Sequence, residues 1–143
     1  MTRPESIAMQ STAFLEPNEI IRDVLIVEPD PDRQTELSRV LALPGRRIVG
    51  TSSADGAYSL VHAHRPDAIF VAPGLETVSS LKLCADLRHL CPESLIVCIQ
   101  DEDDSAPLYE IAPYDLQLSY GEIAVLPIGT LEHLRLSRKG VPA

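Results

Sequence analysis

Tryptophan is absent from the 143 residues, and aromatic side chains make up only 4% of them. Proteins that hold bases or sugars by stacking need such rings, so that mode of recognition has few tools here. Basic residues are also scarce, with 12 Lys and Arg against 21 Asp and Glu, a net charge of −9. Phosphate backbones and anionic lipid are bound by neutralising them with Lys and Arg, so no direct nucleic-acid partner and no membrane surface is expected. Cysteine is limited to Cys84, Cys91 and Cys98, an odd number in apolar segments and without the close pairs of zinc sites or redox dithiols. They read as reduced core thiols of a cytoplasmic protein, and no metal or other cofactor is expected. Long apolar runs are missing at the start, where Pro4, Glu5, Gln10 and Glu16 interrupt the first 16 residues. That excludes a signal-peptide core or a spanning helix there.

What the chain does have is small branched apolar residues, with hydrophobic residues at 45%. The length fits one domain with a single continuous core. Residues 1–22 carry Pro4 and Pro17 and no sustained period, and read as an irregular amino-terminal arm. The domain is expected over residues 23–138, with a tail at 139–143. From Asp23 strand-like runs alternate with amphipathic helical ones: Val24–Val27, Asp32–Leu43, Ile48–Thr51, Ala54–His64, Ala68–Val71, Thr77–Leu90 and Leu95–Ile99. Such alternation predicts a parallel sheet with helices on both faces.

After Gln100 the rhythm weakens. Asp101–Asp104 reads as a solvated acidic loop, and Pro107 and Pro113 leave any helix between them short or missing. The fifth strand has two placements, Leu116–Leu118 or Ile123–Leu126. The first is preferred because a helix from Glu122, with Pro127 in its first turns, gives Ile123, Leu126, Leu131 and Leu134 a helical spacing.

These residues resemble the receiver domains of two-component response regulators over residues 23–100. "VLIVEPDPDRQTELSRVLAL" is similar to the family's first strand and helix, with Glu28 at the first position of its acidic pair and Pro29 at the second. "RRIVGTSSADGAYSLVHAHRPDAIFVAPGLETVSSLKLCADLR" is similar to its second strand through third helix without a gap. The resemblance implies an α/β, CheY-like (flavodoxin-like) fold, doubly wound, with a five-stranded parallel sheet in order 2-1-3-4-5, its site at the carboxyl ends of the strands.

The family's reaction moves a phosphoryl group onto an Asp ending strand three. That Asp and the acidic pair hold magnesium, a hydroxyl residue ends strand four, and a Lys from strand five steadies the charge. The matching positions here are Ala72, Glu28 with Pro29, Ile99, and Leu118 or Leu126 according to the strand-five placement. Four replacements at four separated positions remove one reaction, so the phosphorylation site is expected to be degenerate. Asp67 and Glu76 do not restore it, being at the wrong end of the strand and past the turn.

A receiver fold without receiver chemistry resembles the pseudo-receivers, phosphorylation-independent modules that work by protein–protein interaction. "LYEIAPYDLQLSYGEIAVLP" also resembles part of the pseudo-receiver of KaiA-type clock proteins. The expected partners are proteins: a kinase, another regulator, or a second copy in a homodimer. Tyr109, Tyr114 and Tyr120, three of the four tyrosines, suggest a partner-binding edge over Leu108–Tyr120, against the plain alternative of a covered loop packing its own tyrosines. Two other classes stay open. One is a regulatory subunit of a transcription complex that reaches DNA only through a partner, since Arg135, Arg138 and Lys139 are a small basic cluster. The other is a cysteine-based redox sensor, or a site built on His62, His64, His89 and His133; surface or cap positions are expected for the histidines and core packing for the thiols.

Overall fold

The computed structural model describes residues 20–100 and 113–138. Strands β1 (Asp23–Val27), β2 (Arg47–Thr51), β3 (Ala68–Val71), β4 (Leu95–Gln100) and β5 (Leu116–Ser119) form one parallel sheet in the order β2-β1-β3-β4-β5. Helices α1 (Pro31–Leu41), α2 (Ala54–Ala63), α3 (Ser80–Leu90), α4 (Tyr120–Ala124) and α5 (Thr130–Arg138) complete the described elements. The register sets Val27 beside Thr51 on one side and Val71 on the other, and Val71 beside Cys98. The carboxyl ends of β1, β3 and β4 therefore lie side by side.

Strands buried on both faces need nearly continuous apolar residues, and β1 after Asp23, all of β3 and β4 before Gln100 supply them. Alternation divides these residues between two cores. Val24, Ile26, Ala68, Phe70, Val97 and Ile99 face α1, α4 and α5, where Leu37, Leu41, Ile123 and Leu131 meet them. Leu25, Val27, Ile69, Val71, Ile96 and Cys98 face α2 and α3, against Ala57, Val61, Leu83, Cys84 and Leu87.

Helix starts follow their caps. Asp30 accepts from the Asp32 N–H at 3.0 Å, with Pro31 opening α1. Ser53 accepts from Gly56 N–H, and Ser119 with Glu122 forms a reciprocal capping box at α4. Two expected boundaries move for this reason. Helix α3 begins at Ser80 rather than Thr77 because Ser79 is extended and caps it through the Lys82 N–H. Helix α1 stops at Leu41, where Arg46 Nη1 donates to the Leu41 carbonyl at 2.9 Å and satisfies a helix-end acceptor.

The preferred placement of the fifth strand matches β5, but the single helix expected after it is two. Residues 125–129 separate α4 from α5, and Gly129 there has φ +90°, outside the helical region. Ile123, Leu126, Leu131 and Leu134 still share one core, reached from both helices and their connection. Ile21, assigned by sequence to the arm, is 1% exposed and belongs to that core. The rest of the expected arm, the Asp101–Asp104 run and the tail lie outside the described residues. The short or missing helix expected between Pro107 and Pro113 falls outside them as well.

Candidate functional site

The site forms where β1 and β3 run one residue past their ladders. Glu28 N–H donates to the Thr51 carbonyl at 2.9 Å, and Ala72 N–H donates to the Val27 carbonyl at 2.9 Å. Glu28 and Ala72 thus extend neighbouring strands. Ser80 Oγ donates to the Ala72 carbonyl at 2.8 Å, which ties the start of α3 to this strand end. Gly74, at φ +84°, turns the chain after Pro73, and a side chain built there would first meet the Pro29 ring at 3.9 Å.

Glu28 is 1% exposed, and both of its carboxylate oxygens accept hydrogen bonds. Oε1 accepts the Tyr120 hydroxyl at 2.5 Å, and Oε2 accepts the Asp30 N–H at 3.1 Å. Gln34 Nε2 donates to the Glu28 carbonyl at 3.2 Å. The Arg33 guanidinium lies over the Tyr120 ring, 4.6 Å from its centroid, a cation–π contact beside the buried acid. Burial, then the hydrogen bond to Glu28, hold the Tyr120 hydroxyl well above the ordinary phenol range, although Arg33 opposes the shift. The phenol is a fixed proton donor to Glu28 at any physiological pH. The first turn of α1 and the β5–α4 junction are therefore joined across the ends of the strands.

No family model matches the sequence, and no curated protein matches it. Solved structures do match. A CheY-like response regulator receiver domain from Methylobacillus flagellatus is 22% identical over 82% of this chain and 98% of its own, with a TM-score of 0.64. The signal receiver domain of an HD domain-containing protein from Pseudomonas fluorescens Pf-5 is 19% identical over 83% of this chain and 93% of its own, with a TM-score of 0.68. Together with the strand order, these matches decide the fold. The chain has the fold of a response regulator receiver domain. NtrX from Brucella abortus in complex with ADP is 18% identical over 85% of this chain, with a TM-score of 0.68, but the match spans 29% of that chain.

On this receiver fold the position ending β3 is Ala72, 0% exposed and with no oxygen in its side chain. Pro29 follows Glu28 in the β1–α1 loop, and its side chain offers no donor atom. Asp30 caps α1 through Oδ1, and its Oδ2 lies 3.9 Å from Arg33 Nε. The magnesium ion that receivers use would have to be held by Glu28, whose two oxygens are already engaged, and by Asp30, which is committed to the helix. This donor set does not fit it. Among the described residues no group of three or more His, Cys, Asp or Glu side chains is arranged to hold a metal ion. Ile99 is buried in β4 and packs in the core rather than presenting a hydroxyl.

Leu126, one of the two residues expected at the cation's place, is not at the site. Strand β5 ends at Ser119, and Leu126 lies in the connection after α4. Leu118 pairs with Ile99 inside the sheet. The side chain that reaches the acidic position is Tyr120. Sequence reasoning placed Tyr120 in a partner-binding edge and missed its bond to Glu28; the available signal was its place directly after the preferred fifth strand.

Of the three tyrosines of the expected edge, the two described ones pack on opposite faces of the sheet. Tyr120 packs with the core on the α1 side of the sheet, whereas Tyr114 packs with the core on the α2 and α3 side and donates to Gln117 Oε1 at 3.3 Å. Tyr109 and residues 108–112 of the KaiA-like stretch lie outside the described residues. Asp67 sits at the amino end of β3, accepting the Arg22 and Asp23 N–H groups and pairing with Arg135, and Glu76 is exposed.

All three thiols are buried. The adjacent Cys98 thiol, then burial, push Cys84 far above the ordinary thiol range, and burial pushes Cys91 up. Cys98, accepting from Cys84, is drawn the other way, but it is only 6% exposed in β4. His62, His64, His89 and His133 are all exposed. His64 Nε2 lies 3.0 Å from Asp23 Oδ2, and His62 Nδ1 contacts the Tyr58 carbonyl at 2.6 Å.

Proposed function

We propose that this chain is a phosphorylation-independent pseudo-receiver that regulates by binding protein partners. The observation that carries the reading is the state of the acidic position. Glu28 is buried and doubly hydrogen-bonded, beside a methyl group where phosphoryl transfer needs a carboxylate nucleophile. A scaffold with that site closed by its own side chains has its surfaces left to act through. The charge of −9 disfavours direct contact with DNA, so a role in transcription would run through a partner protein. Among the described residues no helix is long and apolar enough to cross a membrane, in keeping with the cytoplasmic location we propose.

The partner surface we propose is the β5 edge with Tyr114, half-buried at the outer strand of the sheet. Tyr120 contributes from within, by fixing the β5–α4 junction. The test is affinity capture from the native cell with wild type and Tyr114→Ala, each before and after exposure to a small phosphodonor. A partner held equally well in both conditions and reduced several-fold by Tyr114→Ala, with the fold intact by circular dichroism, is the expected result. Partner recovery that depends on the phosphodonor would contradict the proposal.

A further inference from the structure

Helix α5 turns two charged side chains inward. Glu132 and Arg135 lie three residues apart and so share one of its faces. Of the α5 side chains among the described residues, those buried are Leu131, Glu132 and Arg135, so charge has a larger part than apolar area in holding this helix to the sheet. A buried charge has to be paired, and both partners sit at the amino end of the sheet. Glu132 Oε2 lies 3.0 Å from Arg46 Nη2, in the corner between α1 and β2. Arg135 Nη1 lies 3.2 Å from Asp67 Oδ1, just ahead of β3.

The same two carboxylates grip the chain where it enters β1. Ile21 N–H donates to Glu132 Oε2 at 2.9 Å, and Arg46 Nε donates to the Ile21 carbonyl at 3.1 Å. One residue on, the Arg22 and Asp23 N–H groups both donate to Asp67 Oδ2, at 2.9 and 3.0 Å. Each acid therefore joins α5 to the entering chain. We propose that α5 and the chain entry at Ile21 form a latch that opens as one unit while the rest of the sheet stays folded.

The parts of the latch differ in what holds them. Helix α5 has nine residues, too few to persist in water without its docking contacts, so undocking and melting are one event for it. Undocking removes Glu132, the acceptor of the Ile21 N–H, and that amide opens with the helix. Asp67 stays behind, because its N–H donates to the Asp23 carbonyl and its carbonyl accepts the Leu95 N–H within the sheet. An element with a single buried apolar side chain belongs to the low-stability end of a structure, below strands that are apolar on both faces. The open form uncovers the core that Leu131 shares with α1 and the sheet. Because the coupling is reciprocal, displacing Ile21 undocks α5 and undocking α5 frees Ile21. The latch is independent of the state of Glu28 and of the β5 edge.

The test is amide hydrogen exchange of the full chain, followed residue by residue by NMR at zero and low denaturant. The Ile21 amide and the α5 amides of Leu134, Arg135 and Leu136 are expected to share one denaturant slope and protection equal within about three-fold, at least ~10-fold below that of Ile26, Phe70 and Val97. Glu132→Gln keeps an acceptor but removes the charge, and is expected to speed exchange at Ile21 and in α5 by one common factor of about ten or more. Ile69→Val, in the core on the α2 and α3 side, is expected to speed exchange at Phe70 and Val97 several-fold and to leave Ile21 and α5 unchanged, since its contacts persist in the open form. Protection of α5 equal to that of Phe70 and Val97, protection at Ile21 that departs from α5 by more than the stated range, or an effect of Glu132→Gln confined to one of the two would each overturn the proposal. So would an Ile69→Val variant that speeds Ile21 and α5 as much as the sheet.

Discussion

At position 72 the protein carries a methyl group with 0% exposure, flanked by a buried carboxylate at Glu28. Restoring a carboxylate there would place two acids together without the metal and cation that make such a cluster tolerable. Ala72→Asp is therefore expected to cost roughly 2–5 kcal/mol, seen as a large fall in Tm, and to gain no phosphorylation. Tyr120→Phe removes the proton that Glu28 accepts and is expected to cost about 1–3 kcal/mol. The sign with pH follows from the raised phenol. Its folded-state pKa exceeds the unfolded value near ~10, so its contribution is complete below about pH 10 and is lost as pH rises through the folded value. Unfolding measured from pH 8 upward should show that alkaline loss in wild type and a flatter profile in Tyr120→Phe. Ala72, Pro29 and Ile99 were assigned places because each lies in a stretch that carries the resemblance to receiver domains, and the strands that hold or precede them are local apolar runs. The Tyr120–Glu28 bond was not, because its partners are 92 residues apart and meet only once β5 is placed.

At the scale of elements, α5 and the first described residues are held together by buried charge rather than by apolar contact alone. Arg46 Nη2 lies 3.0 Å from Glu132 Oε2, both side chains are nearly inaccessible, and Ile21 N–H shares the same oxygen. Glu132→Ala leaves Arg46 buried and uncompensated, with an expected cost of about 3–5 kcal/mol in denaturant unfolding. A loss under ~1 kcal/mol would show that the pair is not the anchor. Helix starts could be read from Asp30, Ser53 and Ser119, because caps are local. The split after α4 could not: the apolar spacing of Ile123, Leu126, Leu131 and Leu134 suits one helix, and a positive φ at Gly129 leaves no periodic trace. Helix α1 likewise ends early because of Arg46, a residue beyond the helix itself.

For the whole molecule, the sheet order was readable because β1, β3 and β4 are nearly continuous apolar runs, and capped helices separate the strands from β1 to β4. Residues 101–112 interrupt that pattern in the sequence, with the Asp101–Asp104 run and Pro107 in place of an amphipathic helical stretch. The central claim is that the receiver scaffold is present while its reaction is absent, with Glu28 sealed by Tyr120 and Asp30. The most direct test is the intact mass of the full chain after incubation with magnesium and a small phosphodonor, beside an active receiver as control. An unchanged mass, with the control fully modified, is the result expected. A stoichiometric, acid-stable but base-labile phosphoryl adduct on this chain would contradict the account.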